Sequence, residues 1–259
     1  MSKAILAVSF GTAYAETRKK TIEAVEADLA AAFPERKLYT AWTSGMILRK
    51  LKKQGGEVRD TLAEALERME RDGVTDLLVQ PTFLQAGYEM RLVRETLEAW
   101  KPRFARVALG AVLVAGDADL DALAKALEAH FAAVGADEAL VLMGHGSEGA
   151  DFYPYEKLTE AFRRDGRANF CVGTVEFDPG IAPALEMVQK RAPKKTYLAP
   201  LMLVAGDHAI NDMAGEGPDS WASRIAALGT QCVCVLKGLG EYPEVRELYV
   251  RHARAAAAL

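Results

Sequence analysis

Cysteine is scarce: three residues in 259, odd in number and with no C-x-x-C spacing, so neither a disulfide framework nor a thiolate zinc site is indicated. Long hydrophobic runs are missing too. No stretch approaches the roughly 20 apolar residues that a membrane helix needs. The opening MSKAILAVSFGT has no extended apolar region or small-residue cleavage site. A soluble, cytoplasmic protein without membrane partners is the expectation. Nor is there an excess of positive charge: the formal net charge of -4 provides no global basic field for nucleic acid. Histidine is limited to four residues, which makes the place of each one informative. With half of its residues hydrophobic, the chain is globular and long enough for one large domain or two small ones.

Strand-like and helix-like patterns alternate along it. AILAVSF (4–10) precedes a segment in which Ile22, Val25, Leu29 and Phe33 recur at helical spacing. KLYTAWT (37–43), a helical 57–73, DLLVQPTF (76–83), a helical 89–100, RVALGAVLV (106–114) and a helical 117–135 continue the order. The pattern restarts with EALVLMGHGS (138–147), NFCVGTVE (169–176), KTYLAPLMLV (195–204) and QCVCVLKG (231–238), with helices around 155–165, 180–191, 217–228 and from about 243. This βα repetition predicts an α/β fold of two similar Rossmann-like halves, 1–135 and 136–259, each a roughly four-stranded parallel sheet flanked by helices. Cys232 and Cys234 alternate on one strand face, where small core residues are the plain reading.

The restart leaves a trace in the residues. PTFLQAGYE (81–89) aligns without gaps on PLMLVAGDH (200–208), matching Pro81 with Pro200 and Gly87 with Gly206 and setting Glu89 opposite His208. SFGT (9–12) aligns on GHGS (144–147), with Phe10 opposite His145 and Gly11 opposite Gly146. In the same order within two βαβ series, these matches indicate a duplicated domain with a cleft between its halves.

Ligands of parallel α/β sheets bind beyond the carboxyl ends of the strands. In the second half those ends carry His145, Glu176 and His208. Two imidazoles and a carboxylate suit a divalent first-row transition metal and leave positions open for a substrate. Each also has a plain reading as a cap or a solvated loop residue. His130 and His252 sit inside helical patterns. Glu89 either handles a cation or proton or is a first-turn glutamate favoured by the helix dipole. Asp207, Asn211 and Asp212 are candidates to orient His208. The turns FGTA and HGSEG fit neither G-x-G-x-x-G nor a P-loop, so no nucleotide or organic cofactor is expected.

Taken together, VSFGT, MGHGSE, GTVEFDPGI and LAPLMLVAGDHAINDMAGEGPDSW resemble the anaerobic sirohydrochlorin cobaltochelatases, class II tetrapyrrole chelatases of the ferrochelatase-like superfamily. The resemblance spans nearly the whole chain and is most specific from Gly206 to Trp221. It implies insertion of Co2+ into sirohydrochlorin, with the tetrapyrrole lying between the halves and the ion held by His145, Glu176 and His208. By the same resemblance His145 is the proton acceptor, and Glu89 takes part in metal handling. Sirohydrochlorin is a polycarboxylate, so cations should rim the site. Arg91, Arg94 and Lys19 or Lys20 are candidates, with Phe10, Gly11, Tyr14, Tyr88 and Met202 against the ring. Insertion of Fe2+ into the same ring, a non-catalytic tetrapyrrole or metal carrier, and a metallohydrolase are the alternatives. A homo-oligomer stays open.

Overall fold

A computed structural model describes residues 2–57, 59–147 and 153–259. The elements of the first part are β1 (Ser2–Ser9), α1 (Ala15–Lys20), α2 (Ile22–Ala32), β2 (Lys37–Trp42), α3 (Gly45–Lys53), α4 (Leu62–Arg71), β3 (Val74–Pro81), α5 (Tyr88–Trp100) and β4 (Arg106–Leu109). There follow α6 (Asp117–His130), β5 (Glu138–Gly144), α7 (Pro154–Arg164), β6 (Phe170–Thr174), α8 (Ala182–Arg191), β7 (Lys195–Leu201), a π-helical turn (Ala209–Met213), α9 (Trp221–Ala226) and β8 (Gln231–Cys234). The chain closes with α10 (Pro243–Arg254) and β9 (Ala257–Ala258).

Two compact units result. One runs to Ala115 and takes back Pro243–Leu259; the other is Gly116–Tyr242. This corrects the expected boundary at 135/136. Helix α6 goes with the second unit because it packs on α7, where Lys157 and Arg164 reach Asp117 (3.0 Å) and Asp121 (2.7 Å). Helix α10 returns to the first because it packs on α2 and β3, with Arg246 Nε 2.6 Å from Asp28 and the Tyr249 hydroxyl donating to the Thr82 carbonyl at 3.0 Å.

The sheets run β2-β1-β3-β4-β9 and β6-β5-β7-β8. All pairings are parallel except the two-residue β9, which adds an antiparallel edge to the first sheet and makes it five-stranded. Apart from that edge the two orders are the same. The registers agree as well: Val8 pairs with Pro81 and Met143 with Pro200, positions that the internal sequence match sets opposite one another. Strands β1 and β5 are buried along nearly their whole length and read as continuous apolar runs, as central parallel strands must.

Several local readings shift. The helix expected from 57 begins only at Leu62, because Thr61 closes a capping box with Glu64 and the preceding residues run extended, Trp42 N–H donating to the Asp60 carbonyl at 2.9 Å. Helix α3 was not expected; the Ser44 hydroxyl caps it by accepting from Ile47 N–H. Strand β7 ends at Leu201, because the carbonyls of Met202 and Leu203 bond to Leu239 and Gly240 instead of a sheet neighbour. His208 therefore stands a loop beyond the strand end.

In the first unit the buried carboxyl of Glu26, 6% exposed on α2, is pushed up to about 7 by desolvation, which the nearby Arg59 offsets only in part. Between its ordinary value and about 7 the unfolded chain ionises this group while the folded chain keeps it protonated, so its contribution falls as pH rises through that window. Glu26→Gln should therefore unfold at higher urea than the parent at pH 8 and not at pH 4.5, a gain on the order of 1–3 kcal/mol.

Candidate functional site

At the C-terminal edge of the second sheet, the β5–β6 ladder continues beyond its last strand residues. Val175 N–H donates to the Gly144 carbonyl (2.9 Å) and Glu176 N–H to the His145 carbonyl (2.8 Å). The two chains can approach this closely because residue 146 is glycine: a Cβ there would lie 1.8 Å from the Glu176 carbonyl oxygen, and its φ of +90° favours glycine. Gly11 repeats the device in the first unit, with φ +101° and a Cβ that would meet the Trp42 ring at 2.6 Å. The aligned glycines of the two halves thus do the same job, each at the exit of its central strand.

Tyr155, at the start of α7, fixes the same turn from below. Its ring fills the space over Gly144, and its hydroxyl accepts from Gly146 N–H at 3.1 Å. Burial pushes that phenol up to about 12, so it stays a neutral hydroxyl. The sequence offered no chemical signal for Tyr155, which reads as an ordinary aromatic of an amphipathic helix. Beyond β6, the Thr174 hydroxyl donates to the Phe177 carbonyl (2.9 Å) and accepts from Gly180 N–H (3.0 Å), pinning the loop that carries Glu176. Phe177 itself has φ +63° and is 52% exposed, a strained backbone that presents an aromatic face to solvent.

His145 leaves this turn with its Nδ1 bonded to the Gly146 carbonyl at 2.9 Å. His208, at the head of the π-helical turn, has its Nδ1 bonded to Asp212 at 2.7 Å. A carbonyl and a carboxylate are acceptors, so each Nδ1 is the donor, and in the neutral imidazole this leaves the lone pair on Nε2. The two rings meet edge to face with centroids 5.0 Å apart. Of the three residues considered for orienting His208, Asp212 is the one that bonds its ring, at the i,i+4 spacing that helical geometry brings together.

Glu176, whose N–H makes the main-chain contact with His145, is exposed, and among the described residues no group of three His, Cys, Asp or Glu side chains stands close enough to hold a metal ion. The structure therefore assembles the histidine pair but not the trio. Glu148 and Gly149 of the HGSEG turn lie outside the described residues.

Most of the remaining candidates belong to the first unit. Glu89 opens α5, and its Oε2 is buried with no hydrogen-bond partner among the described residues. Gln85, one turn earlier in the chain, has both amide atoms buried and unpartnered as well. Phe10 follows β1 directly at 44% exposure. Tyr88 is exposed, with the Arg91 guanidinium 5.3 Å from its ring and Glu95 3.9 Å from Arg91 Nε. Cys232 and Cys234 share a hydrogen bond and pack against the core cluster that contains Trp221 and Ile225; receiving it pushes the Cys234 thiol down.

The sequence model of the cobalt chelatase (CbiK) family matches residues 3–258. The chain belongs to this family. The cobalt chelatase is 38% identical over 256 residues to the sirohydrochlorin cobaltochelatase of Salmonella typhimurium, covering 99% of this chain and 97% of that one. It is 32% identical over 257 residues to the sirohydrochlorin cobaltochelatase CbiKC of Nitratidesulfovibrio vulgaris, with 98% and 90% covered. Its fold matches that of the sirohydrochlorin chelatase SirB from Bacillus subtilis subspecies spizizenii in complex with cobalt, at a TM-score of 0.63 and 13% identity over 98% of this chain and 94% of that one. The siroheme biosynthesis enzyme CbiX gives 0.57 at 22% identity, covering 98% and 100%.

The close approach at Gly146 yields a first test of the turn. Gly146→Ala should lower the unfolding free energy by roughly 2–4 kcal/mol through the clash and the strained φ, read as a lower urea midpoint. An unchanged midpoint would mean that the ends of β5 and β6 are not held as described.

Proposed function

We propose that this cobalt chelatase inserts Co2+ into sirohydrochlorin, with His145 and His208 receiving the ion and Glu176 completing its coordination. The observation that carries the reading is the histidine pair, 5.0 Å between centroids with each Nδ1 committed to a neighbouring acceptor. Two imidazoles sharing one tetrahedral divalent ion at about 2.1 Å per nitrogen have centroids roughly 5 Å apart. The pair therefore has the spacing that a single shared ion requires.

Insertion needs two events at this place. The ion must exchange protein ligands for ring nitrogens, and the two pyrrole N–H protons must leave. A two-imidazole site with a carboxylate on a separate loop suits the first event, because a closed four-ligand cage would trap the ion. The free Nε2 of His145 suits the second. It can take a pyrrole proton once the ion has moved to the ring, its Nδ1–H staying on the Gly146 carbonyl. The buried, unpartnered Oε2 of Glu89 is a further acceptor for a proton or a hydrated cation. Exposed Phe10 and Tyr88 offer aromatic faces to a macrocycle, and Arg91 a cation to its carboxylates. Fe2+ is the other ion this donor set would accept. No helix among the described residues is long and apolar enough to cross a membrane.

Anaerobic spectrophotometric turnover of sirohydrochlorin with Co2+ and Fe2+ in parallel tests the proposal, and no acceleration over the uncatalysed rate would overturn it. His145→Ala should lose at least about 100-fold in insertion rate while macrocycle affinity changes far less; a carrier would lose affinity alone. Asp212→Ala, which frees the His208 ring, should weaken Co2+ binding about 10–100-fold, measured by titration of the metal in the absence of tetrapyrrole.

A further inference from the structure

The second unit contains a cavity of about 400 Å³ whose lining includes Val175, Ile181, Asp212, Asp219, Trp221 and Arg224. Its walls come from the segment that carries Glu176 and from the segment that orients His208. Ile181 and Trp221 are nearly buried and present apolar surface. The polar groups differ in how far they are committed. Asp212 is engaged by the His208 ring at 2.7 Å. The side chains of Arg224 and Asp219 are exposed, and neither takes part in an ion pair or side-chain hydrogen bond among the described residues. An uncommitted guanidinium beside apolar walls matches a group made of a short methylene stem ending in a carboxylate, since the stem gains from burial and the carboxylate can accept two N–H bonds from one arginine.

We propose that this cavity receives a carboxylate side arm of the tetrapyrrole, its methylenes against Ile181 and Trp221 and its carboxylate on Arg224. The inference rests on the tetrapyrrole reading above and adds to it a place and a partner for one arm. The tether explains why an arm, rather than a free carboxylate, is the occupant: the cavity adjoins both segments that present proposed ion ligands, so a ring bound over the ion brings its periphery to this place. Asp219 opposes an anion there by its charge, and this gives the proposal a second, oppositely signed consequence. A cation in the cavity would need Asp219, whereas a carboxylate is hindered by it.

The test is equilibrium binding of metal-free sirohydrochlorin to the full chain, followed anaerobically by absorbance and by quenching of tryptophan fluorescence at fixed ionic strength. Arg224→Gln should raise Kd about tenfold, the loss expected for one charge-assisted pair, with Arg224→Lys falling between it and the parent. Asp219→Asn should tighten binding, by about two- to threefold as suits an exposed charge. Parental affinity in Arg224→Gln, or weaker binding in Asp219→Asn, would overturn the inference while leaving the chelatase reading intact. Absence of saturable binding by the parent protein would instead overturn the tetrapyrrole reading and this inference with it.

Discussion

Two main-chain hydrogen bonds past the end of the second sheet, Val175 to Gly144 and Glu176 to His145, set most of what surrounds them. They hold the exits of β5 and β6 together after the strands have ceased, so the side chains of His145 and Glu176 leave from adjoining turns. That contact exists only because position 146 has no Cβ, and it keeps its shape because Tyr155 supports the turn through Gly146 N–H. A rigid parallel sheet thus fixes one imidazole, while the other is delivered by a separate device, a π-helical turn whose Asp212 bonds the ring at its head. π-Helical turns of this kind are frequent at functional sites, because the extra residue re-aims a side chain that an α-helix would place elsewhere.

Much of this architecture was legible in the residues. The apolar-run and helical patterns identified the βα order, and the match of PTFLQAGYE with PLMLVAGDH anticipated two similar halves, which the shared strand order and the registers at Val8–Pro81 and Met143–Pro200 bear out. The boundaries were not legible. Nothing in a local pattern tells helix 117–130 that its partner is α7, or helix 243–254 that its partner is α2, since those choices are made by contacts distant in sequence. The late start of α4 and the early end of β7 have the same origin. Each segment carries a pattern that would continue, and a backbone partner from elsewhere stops it.

At the site, residue types were legible and roles less so. Histidines at strand exits stood out because the chain has so few of them and because ligands gather at that edge of a parallel sheet. The sequence offered three candidates to orient His208 and could not choose, since the choice depends on a helical turn that sets Asp212 four positions on from it. Tyr155, Phe177 and Arg224 carried no signal: an aromatic on an amphipathic helix, one in a loop and a cation on a short helix are commonplace until their neighbours are known. The metal trio expected from the motif resolves into a pair and a carboxylate held apart from it, an arrangement compatible with a ligand that must be able to let go.

The return of α10 to the first unit bears on how the protein is made. Arg246 finds Asp28 across 218 positions, and Tyr249 finds Thr82 across 167. Gly116–Tyr242 is continuous, so its contacts are all available before the last helix leaves the ribosome, whereas the unit begun first must wait for the end of the chain to close its core. Synthesis order and completion order are therefore reversed. The segment that presents the histidine pair can be finished while β1 to β4 still lack their final covering helix, and the N-terminal strands, buried along both faces in the finished fold, are the ones left in need of protection during that interval.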